Sequence, residues 1–237
     1  MLIRRRASLK KSCHSYSDYP FLYVIQLEVN ASCYNKATSV RKCLFPEEAP
    51  MAAVIEVEKK KLKNPPLSLH YLGDRVLRQP AKRVAKVDND LRDLVRKMLQ
   101  TMYSEDGIGL AAPQVGMHKQ LLVVDADPEN AAAPPLVLVN PKITRYSDEL
   151  AKGQEGCLSI PGVYLDVIRP AAIEVSFKDE TGKPRKLKVD DLVARVIQHE
   201  MDHLNGVMFV DRVENAIALN QELKKNGFEV KDVKKVS

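Results

Sequence analysis

The chain has 237 residues, 45% of them hydrophobic and 29% charged, which is enough for one well-buried domain with material left over. No run approaches the roughly 18 apolar residues of a membrane span, so an integral helical membrane protein is excluded. The formal charge of +6 raises the possibility of nucleic-acid binding, but residues 1–50 hold 8 Lys+Arg against 4 Asp+Glu, and the remainder carries a net of only +2. The basic runs of the body, Lys59–Lys61 and Lys224–Lys225, therefore read as solvated surface, and no specific nucleic-acid partner is expected.

Residues 1–50 differ from the rest and read as a poorly ordered N-terminal extension. Ser8, Ser12, Ser15 and Ser17 beside Arg4–Arg6 have the composition of an organellar transit sequence. Two other readings stand: a start assigned upstream of the real one, with Met51 the next methionine, or a true appendage. Residues 51–68 form a charged lead-in that ends in the extended Asn64-Pro65-Pro66. From Asp88 to Tyr103, Leu91, Leu94, Val95, Met98, Leu99 and Met102 follow the i, i+3, i+4, i+7 rule, which predicts an amphipathic helix capped by Asp88 or Asp90.

The segment Gly107–Gly116 comes next. Its paired glycines allow close backbone approach, and it lacks the lysine of a phosphate loop. Gln114 is its polar residue, either a surface amide on a turn or a donor aimed at a developing oxyanion. Short strands are predicted at Leu121–Val124, Leu136–Val139, Ile173–Phe177 and Lys186–Val189, the last two joined by a hairpin turn at Asp179–Gly182. Between them, Glu155–Gly162 reads as a Gly-flanked turn presenting Cys157. A second helix is predicted from Asp190 to Leu204, with Asn205-Gly206 as its stop, and a weaker one from Asn215 to Lys225. The expected class is α+β, with mixed or antiparallel sheets packed around a central helix.

That central helix carries His199, Glu200 and His203 as H-E-x-x-H. Positions four apart share a helix face, so both imidazoles can grip one metal ion while Glu200 takes a proton from metal-bound water. The bland alternative is a solvated pair of histidines. Gly206 follows as in the extended pattern H-E-x-x-H-x-x-G-x-x-H, but the third ligand position is Phe209. The body holds a single cysteine, Cys157, because Cys13, Cys33 and Cys43 all lie in the first 43 residues. No disulfide framework is implied, and Cys157 is either a small buried hydrophobe or the missing ligand. One thiolate and two imidazoles would leave the fourth tetrahedral position open, as in catalytic sites.

Taken together, Gly107-Ile-Gly-Leu-Ala-Ala-Pro-Gln114, Glu155-Gly-Cys-Leu-Ser159 and His199-Glu-Met-Asp-His-Leu-Asn-Gly206 resemble the three signatures of peptide deformylases, in order. The resemblance runs from about Leu69 to Val213, is closest to the bacterial and plastid branch, and implies a catalytic domain over 69–237. It implies removal of the formyl group from the N-terminal formyl-methionine of nascent polypeptides. Cys157, His199 and His203 would hold the metal, Glu200 would act as general base, and Gln114 and the Leu158 backbone N–H would hold the oxyanion. Ile108, Gly109 and Val196 would contact the substrate. Tyr164 would stand beside the bound peptide, where many bacterial members carry Arg. The implied metal is Fe2+, with Zn2+, Ni2+ or Co2+ as alternatives. Transient ribosome association, a monomer or weak homodimer, and a bacterial cytoplasmic location are expected, or a plastid or mitochondrial one if residues 1–50 are a transit peptide. The rival reading is an H-E-x-x-H metallo-endopeptidase.

Overall fold

The computed structural model describes residues 55, 57–130 and 132–236, so every expectation for residues 1–50 lies outside the described part. The class is α+β, as expected. Helix α1 (Asn89–Ser104) starts where Asp88, in extended conformation, accepts a hydrogen bond from Leu91 N at 3.0 Å. Its predicted stripe is buried from Leu91 to Met102. Each such side chain contributes about 1.5–3 kcal/mol relative to exposure.

The stripe packs on a five-stranded antiparallel sheet. Its strands are β1 (Gly109–Ala111), β2 (Leu121–Val124), β3 (Leu136–Tyr146), β6 (Ala172–Lys178) and β7 (Pro184–Asp190), in the spatial order β1-β2-β3-β6-β7. A separate two-stranded hairpin is made by β4 (Leu150–Cys157) and β5 (Ile160–Pro170). β2 is buried at all four positions, whereas β6 alternates, with Ile173, Val175 and Phe177 turned inward. That is the difference between a covered strand and a half-solvated one.

β7 runs into helix α2 (Asp191–Leu204) with no intervening loop, and the change of direction is taken up by Asp191 at φ +49°. Asp tolerates this left-handed conformation better than most residues. α2 ends at Asn205 followed by Gly206 at φ +73°, as predicted. A Cβ at Gly206 would lie 2.7 Å from the Arg78 carbonyl oxygen, so a side chain is excluded there twice over. Helix α3 (Ala216–Lys225) packs on β5 and buries Leu219 and Leu223.

Two apolar clusters result among the described residues. The larger joins α1, the five-stranded sheet and the Ala194, Val196 and Ile197 face of α2. The smaller lies under the β4–β5 hairpin and includes Cys157, Ile160, Val163, Phe209 and Leu223. Packing also begins upstream of Leu69. Ile55 is 5% exposed within the larger cluster, and Leu62 N and Leu67 N donate to Ser104 Oγ and Thr101 Oγ1 on α1.

The segment Glu155–Gly162 differs from the predicted turn. Gly156 lies in β4 and Gly162 in β5, and only Leu158 and Ser159 form the reversal. The hairpin escaped prediction because Leu150–Cys157 carries Lys152, Gln154 and Glu155 in place of an apolar alternation. β3 continues past Val139 to Tyr146, hidden by the left-handed Asn140 and by register shifts after Val139 and Ile143.

Candidate active site

Among the described residues, Cys157, His199 and His203 bring their Sγ and ring nitrogens within 4.8 Å of one another, all three buried. The hairpin supplies the sulfur from the last residue of β4, and α2 supplies both rings from successive turns. Cys157 Sγ lies 3.3 Å from His203 Nε2, and the two rings meet edge to face at 5.0 Å. Phe209, at the position where the extended pattern would place a third histidine, stacks on His199 at 5.8 Å. The third soft donor comes from the hairpin instead.

His199 is oriented from behind. Its Nδ1 is 2.9 Å from Glu155 Oε2, which leaves Nε2 as the free donor atom. Glu155 is fully buried, and Arg169 binds it through two bonds, Nε to Oε1 at 2.5 Å and Nη2 to Oε2 at 2.8 Å. Arg195 adds a third at 2.8 Å. Arg169 continues to Asp202 at 2.8 Å, and Asp202 also receives Arg212. Burial raises the Glu155 pKa, but the two bonds and the charge of Arg169 outweigh it, so the carboxyl is held well below its usual range. Sequence reasoning quoted Glu155 and Asp202 within their motifs without assigning either a role, and it missed Arg169 and Arg195. Their pattern is one of contacts between distant segments, with no local signal.

The two ring pKa values are driven apart. Burial lowers both, but bonds to Cys157 and Glu155 carry His199 well above the usual imidazole range. Burial and the neighbouring His199 push His203 well below it. Burial pushes Glu200 up to about 7.

Glu200 and Val196 both face Gly109. A Cβ on Gly109 would run into Glu200 Oε1 and would come within 2.8 Å of Val196 Cγ1. β1 thus passes directly under the carboxylate, and only glycine permits this. Glu200 Oε2 and His203 Nδ1 are the buried side-chain polar atoms without a hydrogen-bond partner among the described residues. Gln114, 1% exposed, has a fixed amide: Oε1 accepts from Ala111 N at 2.8 Å, and Nε2 faces Ser159 Oγ at 3.2 Å and Cys157 Sγ at 3.6 Å. Its N–H groups face the serine hydroxyl and the sulfur, and its burial rules out the surface-amide alternative. Leu158 follows Cys157 in the turn, with its side chain in the larger cluster. Ile108 is buried, and Tyr164 lies across Gly156, where a Cβ would be 2.5 Å from its Cε1.

The donor set fits a divalent transition metal: a thiolate and two imidazoles converge, one imidazole is already oriented by a carboxylate, and Glu200, the residue after His199 on α2, keeps a buried carboxylate oxygen without a partner among the described residues. Three protein donors with a glutamate on the same helix are the arrangement of catalytic sites in metal-dependent hydrolases.

The family model described as polypeptide deformylase matches residues 66–217. A peptide deformylase of Microchaete diplosiphon is 68% identical over 187 residues, covering 79% of this chain and all of the relative. A crystal structure of a peptide deformylase from Synechococcus elongatus in complex with actinonin superposes with a TM-score of 0.76 at 65% identity, covering 78% of this chain and all of that one. A plant peptide deformylase structure gives 0.65 at 41% identity, covering 70% and 89%. The chain belongs to the polypeptide deformylase family. It is a metal-dependent hydrolase that removes the formyl group from N-terminal formyl-methionine, and the endopeptidase reading is not favoured.

Proposed function

We propose that Cys157, His199 and His203 hold one metal ion, Fe2+ in the native enzyme, and that Glu200, Gln114 and Leu158 carry the hydrolysis. When bound, the metal supplies a Lewis acid that brings the pKa of water towards neutrality. A Cys/His/His set also accepts Zn2+, Co2+ or Ni2+, and ferrous iron follows from the family resemblance. Glu200 takes the proton of the attacking water at Oε2 and returns it to the departing amine nitrogen. A carboxyl whose pKa stands at about 7 is suited to both transfers. Gln114 Nε2 and the Leu158 backbone N–H donate to the oxyanion, a pair whose members are typically worth about 3 kcal/mol each. Ile108 and Val196 wall the methionine side chain, and the Gly107–Gly109 backbone leading into β1 hydrogen-bonds the peptide as an added strand. Tyr164 offers an aromatic face to the residues that follow.

The observation that carries this reading is the convergence of three buried soft donors, with the unpartnered Glu200 Oε2 on the same helix as two of them. The test is anaerobic formate release from formyl-Met-Ala-Ser by iron-loaded and zinc-loaded protein. Higher turnover with iron, lost on exposure to air, supports Fe2+, and equal turnover that survives air rejects it. The substrate goes with transient docking at the ribosome as a monomer or weak homodimer. The cyanobacterial relatives go with a cytoplasmic location.

A further inference from the structure

The structure assigns Lys59, which lies upstream of the family match at residues 66–217, a positioning role: its ammonium group fixes the end of β2 and, through it, the peptide-binding edge at Ile108. The inference rests on the proposal that Ile108 and β1 face the substrate.

Lysine is almost never buried without a partner, yet the Lys59 side chain is only 10% exposed. Its Nζ lies 2.6 Å from Asp125 Oδ2 and donates to the carbonyls of Asn130 at 2.9 Å and Ala133 at 2.8 Å. The Asp127 carbonyl lies farther off at 3.4 Å, so three donors meet four acceptors and none of the ammonium hydrogens lacks a partner. Asp125 is itself 4% exposed, and the same Oδ2 receives the Tyr103 hydroxyl at 2.7 Å. Burial and the charge of Asp125 hold the Tyr103 pKa above the usual phenol range, so Tyr103 stays a donor.

The next link is backbone. Asp125 N–H donates to the Ile108 carbonyl at 2.8 Å, one step beyond the Gly109–Val124 pair that joins β1 to β2. Lys59 therefore holds Asp125, Asp125 holds Ile108, and the following residue is the glycine under Glu200. The lead-in is anchored for this task. Gln100 Nε2 donates to Lys60 O at 2.9 Å, and Leu62 N donates to Ser104 Oγ at 3.2 Å, both from α1. The neighbouring Lys60 and Lys61 are more than 60% exposed and make ordinary surface pairs. β1 is only three residues long, so it has little ladder of its own to resist displacement.

The experiment measures hydrolysis of formyl-Met-Ala-Ser, metal content and amide exchange of Asp125 in the full chain and its variants. Lys59→Met is expected to raise KM at least about threefold with kcat within about twofold, because the edge that binds the peptide loosens while the catalytic groups stay in place. Metal content stays unchanged, and the Asp125 amide exchanges faster. Lys61→Met, which removes only an exposed pair, leaves KM and exchange unchanged. A merely structural Lys59 would lower Tm and leave KM alone. A KM equal to that of the parent in Lys59→Met therefore overturns the inference, whatever the exchange shows. If Lys59→Met fails to fold, Asp125→Asn removes the charge and keeps the shape, and the same two outcomes apply to it. Ile108→Ala separates the levels: a raised KM there supports β1 as the docking edge, and an unchanged KM overturns that reading rather than the Lys59 contact.

Discussion

Gly109 is the residue at which local sequence and chemistry are most tightly joined. Its missing Cβ lets Glu200 and Val196 occupy the space above β1. Gly109→Ala is therefore expected to displace the Glu200 carboxylate and to lower kcat/KM by roughly a hundredfold with metal retained, as for ångström-scale misplacement of a reacting group. Formate release and metal analysis on the same preparation check this. Ligation and proton transfer separate in the same way. Cys157→Ala, His199→Ala and His203→Ala should each lose metal and activity together, since each removes one of three converging donors. Glu200→Gln should keep stoichiometric metal while kcat falls at least about a hundredfold. Parallel loss of metal would instead make Glu200 a ligand. These residues were legible because they sit in short motifs whose spacing is fixed by one helix turn or one hairpin reversal. The roles of Arg169, Arg195 and Asp202 were not, because their partners are 10 to 44 positions away and no local pattern requires them.

The elements differ in the same respect. α1 and α2 were predicted nearly to their ends because the apolar stripe and the capping residues are local signals. The β4–β5 hairpin was not, although it carries Cys157. Its alternating face is covered by Arg195 and other polar groups, so burial there is satisfied by hydrogen bonds and leaves no hydrophobic period. Arg195 donates to Glu155, to Val167 O at 3.0 Å and to Ala151 O at 2.7 Å, which ties α2 to both strands of the hairpin. Arg195→Met should weaken metal affinity about tenfold or more, as for other groups that orient ligands from behind, with the far-ultraviolet spectrum unchanged. Chelator competition measures it, and unaltered affinity would leave Arg169 as the sole support of Glu155. The β6–β7 turn gives a pH test. Burial raises the Asp179 pKa, but hydrogen bonds from Thr181, Arg185 and Lys183 N outweigh it and hold the group below its usual value. A depressed pKa contributes stability above the unfolded value, near 3.9, and this is lost as pH falls through the folded one. Asp179→Asn should therefore lower Tm by roughly 2–4 °C at neutral pH, corresponding to about 1 kcal/mol. The difference should shrink on acidification below the ordinary carboxylate range. A constant difference across that range would assign the effect to packing.

At the scale of the molecule, the metal centre lies where two apolar clusters meet, with Leu158 in one and Cys157 in the other. Each cluster is closed by a segment at one end of the matched region. The smaller is closed by α3 and the tail, where Arg78 bonds the Asp211 carboxylate and the Asp232 carbonyl. The larger is closed by the lead-in, through Ile55 and the Lys59 cage. Two shortened chains follow from this arrangement. A chain beginning at Met51 keeps every one of those contacts, and the relatives that match along their whole length span 187 residues of this one. It should bind one metal ion and reproduce the kcat/KM of the full chain within about a factor of two, since terminal extensions usually contribute little to a domain's stability. A chain beginning at Leu69 keeps all three signatures and most of the family match, yet it loses Ile55 and leaves Asp125 buried without its ammonium partner. Stranding one member of a buried pair costs about 3–5 kcal/mol, so Tm should fall by at least about 5 °C. KM should rise with it, because Asp125 is the residue that holds Ile108. Thermal unfolding and formate release on the three chains decide the matter: equal behaviour of the Leu69 chain would show that the deformylase body is complete without the lead-in, and a damaged Met51 chain would show that residues 1–50 contribute to it.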